Sequence, residues 1–280
     1  MKPKYTRTLV LLCFATLLLF TSCRHRVQKM IARGNIEFEK KNFTQAMEYY
    51  QKALSINPNS WEAYYDIALC KTNLNNDSGA INDYTSAAFI NPKENVNIYI
   101  NRGHLNYKLL KYKDALADYQ TALEMNPSNH NLIISICECY RNLGNSEEAL
   151  KEANKLIEAD PKFALAYSER GYIKIKMNKF QDAIEDLNKG LAIDSTDPLM
   201  YNNRAHAELE LKDLEKAIID VEKSIQLNPK NSFAYKIRAK IFLERNEKDK
   251  ACYDLKKALE LGYTKTFGND VQELLDKNCK

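Results

Sequence analysis

Apolar and small side chains recur at intervals of three and four residues, as in Tyr99, Gly103 and Asn106, and the whole pattern returns about every 34 residues. This short spacing places the recurring side chains on one face of an α-helix. When the 34-residue windows are counted from Val27, the eighth residue of each is small: Gly34, Ala68, Gly103, Cys137, Gly171, Ala205 and Ala239. The twentieth place is always alanine: Ala46, Ala80, Ala115, Ala149, Ala183, Ala217 and Ala251. Seven windows in register predict seven helix pairs in close contact, each needing its neighbours to bury a core.

Proline marks the ends of the windows. It recurs at Pro58, Pro92, Pro127, Pro161 and Pro229. Because proline cannot continue a helix interior, these positions are expected to end the second helix of a pair. Ser195 stands at this place in the fifth window, and one extra residue falls near residues 93–95, where a loop tolerates insertion.

These features resemble the tetratricopeptide repeat family over roughly residues 27–263. The phrases that carry the resemblance are Asn42–Ala46, Lys111–Ala115 and Ala53–Pro58. The resemblance implies an all-α, right-handed superhelical solenoid of about seven helix pairs. We expect residues 264–280 to add a C-terminal capping helix.

Charged residues suggest contacts between neighbouring repeats. Acidic residues of the second helices precede repeats that carry an arginine: Asp83 before Arg102, Glu152 before Arg170, Asp186 before Arg204 and Asp220 before Arg238. We therefore predict ion pairs between repeats, with a structural role only.

Residues 1–22 have the layout of a secretory signal, with a basic start, an apolar run from Thr8 to Phe20 and a small-residue end. Thirteen residues make a helix of roughly 20 Å, short of the ~30 Å hydrocarbon core, which argues against an uncleaved membrane anchor. Phe20–Cys23 resembles the bacterial lipobox, although Phe20 stands where Leu is usual. The alternative is an ordinary cysteine beyond a general signal-peptidase site.

The lipobox resemblance implies that Cys23 is lipidated and becomes the mature N-terminus, followed by a short lipid-proximal tether at residues 23–26. Several acyl chains, at ~0.8 kcal/mol per buried methylene, would hold the protein on a membrane. The expected location is the bacterial cell envelope, on the periplasmic side of the outer membrane.

Composition argues against catalysis and nucleic-acid binding. The chain has 41 Lys and Arg against 37 Asp and Glu, and removing Lys2, Lys4 and Arg7 with the signal brings the two close to equal. The eight glycines fall at helix contacts, turns or the terminal cap, which leaves none for a phosphate loop. No metal-ligand spacing links His25, His104, His130 and His206. We expect no enzymatic activity, cofactor, metal or small-molecule substrate.

The cysteines fall into two groups. Cys70, Cys137 and Cys139 lie on first helices and are expected to be buried as small apolar side chains. Cys252 and Cys279 would each lie ~15 Å from the loop between two antiparallel helices, so their thiols could form a disulfide outside the reducing cytosol. Two free thiols are the alternative.

The inner face of the first helices is the usual peptide-binding surface in the family that the chain resembles. By register this face carries Asn35, Phe38, Tyr65, His104, Tyr107, Arg141, Tyr172, Asn202, His206 and Lys240. Their composition is typical of interaction hot spots, and an ordinary solvated surface is the alternative.

The expected function is a non-enzymatic scaffold or adaptor that binds a protein partner of the cell envelope in this groove. A self-associating structural component of an envelope assembly or secretion machine is the alternative, and an enzyme with an unrecognised site is the third class. The chaperone-tail-binding subclass of the family is not predicted, because only Asn35 fits. Ile31 stands where the subclass has Lys, and Asp66 stands where the subclass has Asn.

Overall fold

The computed structural model describes residues 23–93, 95–264 and 268–279, and regular structure within these ranges is entirely helical. The helices are α1 (23–39), α2 (Phe43–Ile56), α3 (Trp61–Asn73), α4 (Asp77–Ile90), α5 (Val96–Lys108), α6 (Tyr112–Met125), α7 (His130–Asn142), α8 (Ser146–Ala159), α9 (Ala164–Lys176), α10 (Phe180–Ile193), α11 (Pro198–Glu210), α12 (Leu214–Leu227), α13 (Ser232–Glu244), α14 (Lys248–Glu260) and α15 (Asp270–Asn278). The predicted signal at residues 1–22 lies outside the described residues. α1 already includes residues 23–26, which were expected to form a tether.

The chain divides into two compact units, Met1–Leu132 and Ile133–Lys280, whose described parts we call the N-terminal and C-terminal segments. In the N-terminal segment α3 packs with α4 and α5 with α6, and α2 and α4 each pack on the helix that follows. In the C-terminal segment the pairs are α9 with α10, α11 with α12, and α13 with α14. The predicted all-α fold of consecutive helix pairs is confirmed.

Small residues let the paired helices approach closely. All seven alanines at the twentieth place of the repeat are fully buried. A Cβ atom on Gly103 would lie 2.7 Å from Cε1 of Tyr119, and one on Gly171 would lie 2.8 Å from Cγ of Leu187. The side chain of the second helix therefore fills the space that the missing Cβ leaves on the first helix.

The turn inside each helix pair uses one residue with positive φ. These residues are Lys41, Asn75, Leu110, Gly144, Asn178, Lys212 and Asn246, with φ between 58° and 81°. In the second turn, the amide of Asn76 donates to the carbonyl of Lys71 at 2.8 Å, the closing bond of a helix-ending αL turn. Asparagine and glycine tolerate this conformation best, so Leu110 is the least suited residue of the set.

The predicted ion pairs between repeats are wrong. Each arginine instead pairs with an aspartate 16 residues later, on the second helix of its own pair: Arg102 with Asp118, Arg170 with Asp186, Arg204 with Asp220 and Arg238 with Asp254. We call these pairs the arginine clamps. The preceding repeat offers such an arginine a neutral acceptor. Nη1 of Arg170, for example, donates to Oδ1 of Asn154 at 2.8 Å. Asp83 pairs with Lys71 at 2.6 Å on its own helix pair.

The C-terminal helix α15 packs on α14 and covers the last helix pair. Val271 of α15 is fully buried in a core with Tyr263. Nζ of Lys236 donates to the hydroxyl of Tyr263 at 2.8 Å and forms an ion pair with Asp270. Together these contacts tie α15 to both helices of the last repeat.

Candidate protein-binding groove

Five of the predicted groove residues lie in the N-terminal segment, and each contacts a residue of its own segment. The contacts are Asn35 with Tyr50, Phe38 with Phe43, Tyr65 with Tyr84, His104 with Tyr119 and Tyr107 with Tyr112. The partners come from the second helix of the same repeat, so these side chains also support the helix pairs. Asn35 and His104 keep an exposed surface, whereas Phe38, Tyr65 and Tyr107 are half-buried.

In the C-terminal segment, Arg141, Tyr172 and Asn202 are brought together in one recess of about 250 Å³. Four successive first helices, or the residue just before one, supply its lining: Glu138, Arg141, Ser168, Glu169, Tyr172, Leu199, Asn202, Asn203, Asn231 and Phe233. Because each helix contributes only a few side chains, the recess exists only when the repeats are stacked. His206 and Lys240 share the same face but do not line it.

Arg141 contacts Glu169 and Tyr172 at one end of the recess. Its Nε donates to Oε1 of Glu169 at 3.2 Å, and its guanidinium lies over the Tyr172 ring, 4.5 Å from the ring centroid. The ion pair joins α7 to α9, and the ring supports the cation from the same helix as the carboxylate. Arg141 is therefore a fixed wall of the recess.

The two carboxyl groups of the recess lie in a poorly solvated position. Burial raises the pKa of Glu169 to about 7, with Arg141 opposing the shift and Glu138 adding to it. Burial also raises the pKa of Glu138, again opposed by Arg141. Two carboxyls facing one guanidinium leave this end of the recess with an excess of negative charge when both are ionised.

Three buried polar atoms on α11 lack hydrogen-bond partners among the described residues: two on the groove face, in Asn202 and His206, and Oε2 of Glu208 beside Arg204. Asn202 is only 1% exposed, and its Oδ1 accepts no hydrogen bond. Nδ1 of His206 is likewise without a partner. Burial lowers the pKa of His206 to about 4, and nearby Lys240 acts in the same direction, so the ring is neutral near pH 7. An unpartnered buried acceptor costs roughly 1–3 kcal/mol, so Asn202 lowers the stability of the fold where it stands.

Two lysines of this face are paired with carboxylates. Lys240 lies 3.1 Å from Glu210, and Lys236 pairs with Asp270 while lying over the Phe233 ring at 5.4 Å. A third, exposed Lys176, lies over the Tyr172 ring, 5.3 Å from the ring centroid.

Sequence reasoning missed Glu138, Glu169 and Phe233. Glu138 was within reach, because it stands 34 residues after His104 and 34 before Tyr172 in the same register. Glu169 and Phe233 occupy other places in the repeat and gave no signal of their own. Their role depends on which neighbouring helix each one faces.

The cysteines bear on anchoring and on the C-terminal end. Cys23 is half-exposed on α1, with its Sγ 3.8 Å from the carbonyl oxygen of Ile56. Cys70, Cys137 and Cys139 are fully buried. Cys252 and Cys279 form a disulfide in the structure, with the two sulfurs 1.98 Å apart. Across the described ranges, no helix has both the length and the apolar character needed to span a membrane.

Comparison with known proteins identifies the repeat. Models described as tetratricopeptide repeat match residues 96–129, 139–198 and 199–231, and one described as TPR repeat matches residues 34–70. Together these matches cover more than half of the chain. The chain belongs to the tetratricopeptide repeat (TPR) family.

The solved structure of a TPR protein from Parabacteroides merdae is similar to this chain, with a TM-score of 0.76 and 23% identity over 91% of this chain and 100% of that one. At that identity the likeness concerns the fold alone. Two curated relatives match shorter stretches. The Hsp70-Hsp90 organizing protein of Triticum aestivum is 28% identical over 56% of this chain, and a DnaJ homolog subfamily C member 7 homolog of Dictyostelium discoideum is 35% identical over 48%. The matches cover 26% and 27% of those relatives' lengths.

Proposed function

We propose that this TPR protein is a non-enzymatic scaffold that binds a segment of another protein along the first-helix face. The observation that carries the proposal is the recess on α7, α9, α11 and α13, in which the buried Oδ1 of Asn202 has no partner within the protein. A bound segment can supply the missing donor, since every non-proline residue carries a backbone N–H. Binding of a protein segment would therefore explain why Oδ1 of Asn202 is buried without a partner.

The names of the curated relatives support a role in organising other proteins, without fixing which ones. Recognition of a chaperone tail through a terminal carboxylate is not part of the proposal. Ile31, at the place where that subclass has a lysine, is buried in the α1–α3 core. Asp66 stands where that subclass has asparagine, and burial raises its pKa to about 7. Neither form of this carboxyl supplies positive charge to a bound carboxylate.

We further propose that Cys23 is the lipidated N-terminus of a cell-envelope protein, on the periplasmic side of the outer membrane. The support is the lipobox-like sequence and the half-exposed side chain of Cys23. A lipid anchor would raise the effective concentration of any groove-bound partner at the membrane. Metabolic labelling with an alkyne fatty acid tests this: the Cys23→Ala variant should lose the label and leave the membrane fraction. Equal labelling of both proteins would contradict it.

Site-specific photo-crosslinking in intact cells tests the scaffold proposal. The crosslinker is placed at Tyr65, Tyr107 and Tyr172 on the first-helix face and at exposed Lys189 on α10 as the control. A protein captured from the first-helix positions and absent from the control supports the scaffold. Crosslinks only between copies of this chain would favour the self-associating structural component instead, and equal capture from Lys189 would contradict groove binding.

A further inference from the structure

We propose that the recess lined by Glu138, Glu169, Asn202 and Phe233 binds a basic side chain, lysine or arginine, of the segment held in the groove. The inference rests on the proposed function, since it names the chemistry that this part of the groove selects. It differs from recognition of a carboxylate, which needs free positive charge in the groove.

Charge is the first argument. The recess has two carboxyl groups, Glu138 and Glu169, and its one basic lining residue is Arg141. Arg141 already donates to Glu169 at 3.2 Å and lies over Tyr172. An acidic ligand would face both glutamates, whereas a cation would complete the charge balance.

Hydrogen bonding gives the same answer. Oδ1 of Asn202 is a buried acceptor without a partner. The ionised carboxylates can accept hydrogen bonds but cannot donate them. A lysine ammonium has three donors and an arginine guanidinium five, so either can satisfy several acceptors at once. An apolar side chain would leave Oδ1 of Asn202 without a donor and the second carboxyl without a counter-charge, which is a basis for rejecting it.

Size and shape fit one long side chain. The recess holds about 250 Å³, whereas a cavity of about 150 Å³ accommodates benzene. It is smaller than the pockets of roughly 300–1,000 Å³ that take whole drug-sized ligands. Leu199 and Phe233 provide apolar wall against which the methylene groups of a lysine or arginine can pack.

The proposal also predicts a pH dependence. The groups that face Glu169 are Cys137, Glu138 and Arg141 of α7, whereas Asn202 and Asn203 of α11 and Phe233 of α13 do not titrate. Because the pKa of Glu169 is raised to about 7, the recess gains negative charge between pH 6 and pH 8. A bound cation lowers that pKa and releases a proton, so affinity for a basic side chain should rise over this interval.

Degenerate ten-residue peptides test the proposal on the full chain. Each pool is acetylated and amidated and has one position fixed as lysine, arginine, norleucine or glutamate, and its apparent Kd is measured by fluorescence anisotropy. At the position that reaches the recess, lysine or arginine pools should bind at least about tenfold tighter than norleucine pools, the effect of one charge-assisted hydrogen bond. Separate lysine and arginine pools show which of the two is preferred.

Variants distinguish the recess from general charge attraction. The double variant Glu138→Gln and Glu169→Gln should lose the preference and its increase with pH, whereas Glu185→Gln, on the exposed side of α10, should keep both. Circular dichroism of each variant checks its folding, and Asn202→Leu provides a second, uncharged way to weaken the site. A preference that persists in the double variant, or equal binding of basic and norleucine pools, would overturn this proposal but leave the scaffold intact. Failure of every pool to bind would instead count against the scaffold itself.

Discussion

The two sides of the first helices in the C-terminal segment follow the repeat to very different degrees. On the side that faces the second helices, the arginine clamps place Arg170, Arg204 and Arg238 at 34-residue intervals, each with an aspartate 16 residues later. On the groove side, a single register holds four different residues: Glu138, Tyr172, His206 and Lys240. One side repeats a contact, and the other changes its chemistry at every step.

This difference separates packing from binding within the same helices. A contact that must form between every helix pair has the same geometry each time, so the same residues recur. A surface that binds one partner must match that partner's own irregular sequence. The groove side keeps a poorly satisfied atom, Oδ1 of Asn202, and the clamp side keeps one in Oε2 of Glu208, although Asp220 of the clamp itself is engaged through both oxygens. Four stability measurements test this difference.

The largest effect is expected from breaking a clamp. Asp220→Ala leaves the half-buried guanidinium of Arg204 without its carboxylate partner, which accepts hydrogen bonds from it at 2.5 and 2.8 Å. The free energy of unfolding should fall by about 3–5 kcal/mol, as for other buried pairs that lose one member. Urea unfolding should be followed together with hydrogen exchange of α11 and α12, because repeat arrays can open locally.

Glu185→Ala, which removes an exposed carboxylate of α10, is the control for the clamp. The double variant Arg204→Leu with Asp220→Leu should recover much of the lost stability, since it leaves no charge unpaired. A loss below about 1 kcal/mol in Asp220→Ala, the value of a surface pair, would show that the clamps do not organise packing.

The disulfide tests whether an unrepeated feature can be purely structural. Cys252→Ser with Cys279→Ser opens a loop whose ends are 27 residues apart, which should cost about 3.5 kcal/mol in the chain-entropy model. The loss should be concentrated in hydrogen-exchange protection of α15. Peptide binding in the recess, which lies on other helices, should not change.

Reductant should reproduce this effect in the wild-type protein and have no effect on the double variant. Thiol labelling of the denatured protein without reductant is the direct check. If both Cys252 and Cys279 react, the bridge is not formed, and α15 is held only by contacts such as Val271 in the core.

Sequence was sufficient for the fold because its signals are local and repeated. The buried alanines and the helix-ending prolines each recur often enough to fix the helix pairs without knowledge of any long-range contact. The clamps were assigned to the wrong partner because linear spacing shows which residues recur but not which neighbouring helix they face. Asp118, for example, is the partner of Arg102 in its own repeat, whereas Asp83 of the preceding repeat had been assigned to Arg102.

The recess was only partly predictable. Arg141, Tyr172 and Asn202 were found because they lie in the expected register, but Glu169 and Phe233 belong to other registers and enter the site through the stacking of four helices. The burial that raises the pKa of Glu169 is likewise a property of the packed array. No local pattern records either fact.

Titration of Glu169 should give the next largest effect. Its pKa is about 7 in the folded protein, against an ordinary value of 4.5, so the folded state binds the proton more tightly than the unfolded state. The associated stability is fully present below about pH 4.5 and is lost as the pH rises to about 7. Glu169→Gln cannot titrate, so the wild type should lose roughly 2–3 kcal/mol relative to this variant between pH 4 and pH 8. Urea unfolding at both pH values measures the difference, and Glu185→Gln should show none. A difference that is independent of pH would mean that Glu169 is solvated like a surface carboxylate.

The smallest expected effect comes from replacing asparagine by leucine. This substitution should raise the free energy of unfolding on the groove side and lower it on the clamp side. Asn202→Leu removes a buried acceptor that has no partner, and the free energy of unfolding should rise by about 1 kcal/mol while the preference for basic peptides is weakened. Asn154→Leu removes an acceptor that Arg170 uses at 2.8 Å, and stability should fall by about 1 kcal/mol without effect on peptide binding. Urea midpoints and pool affinities of the two variants, measured side by side, decide the matter. If both variants are destabilised equally, Asn202 serves packing as Asn154 does, and the groove side is not the place where stability gives way to binding.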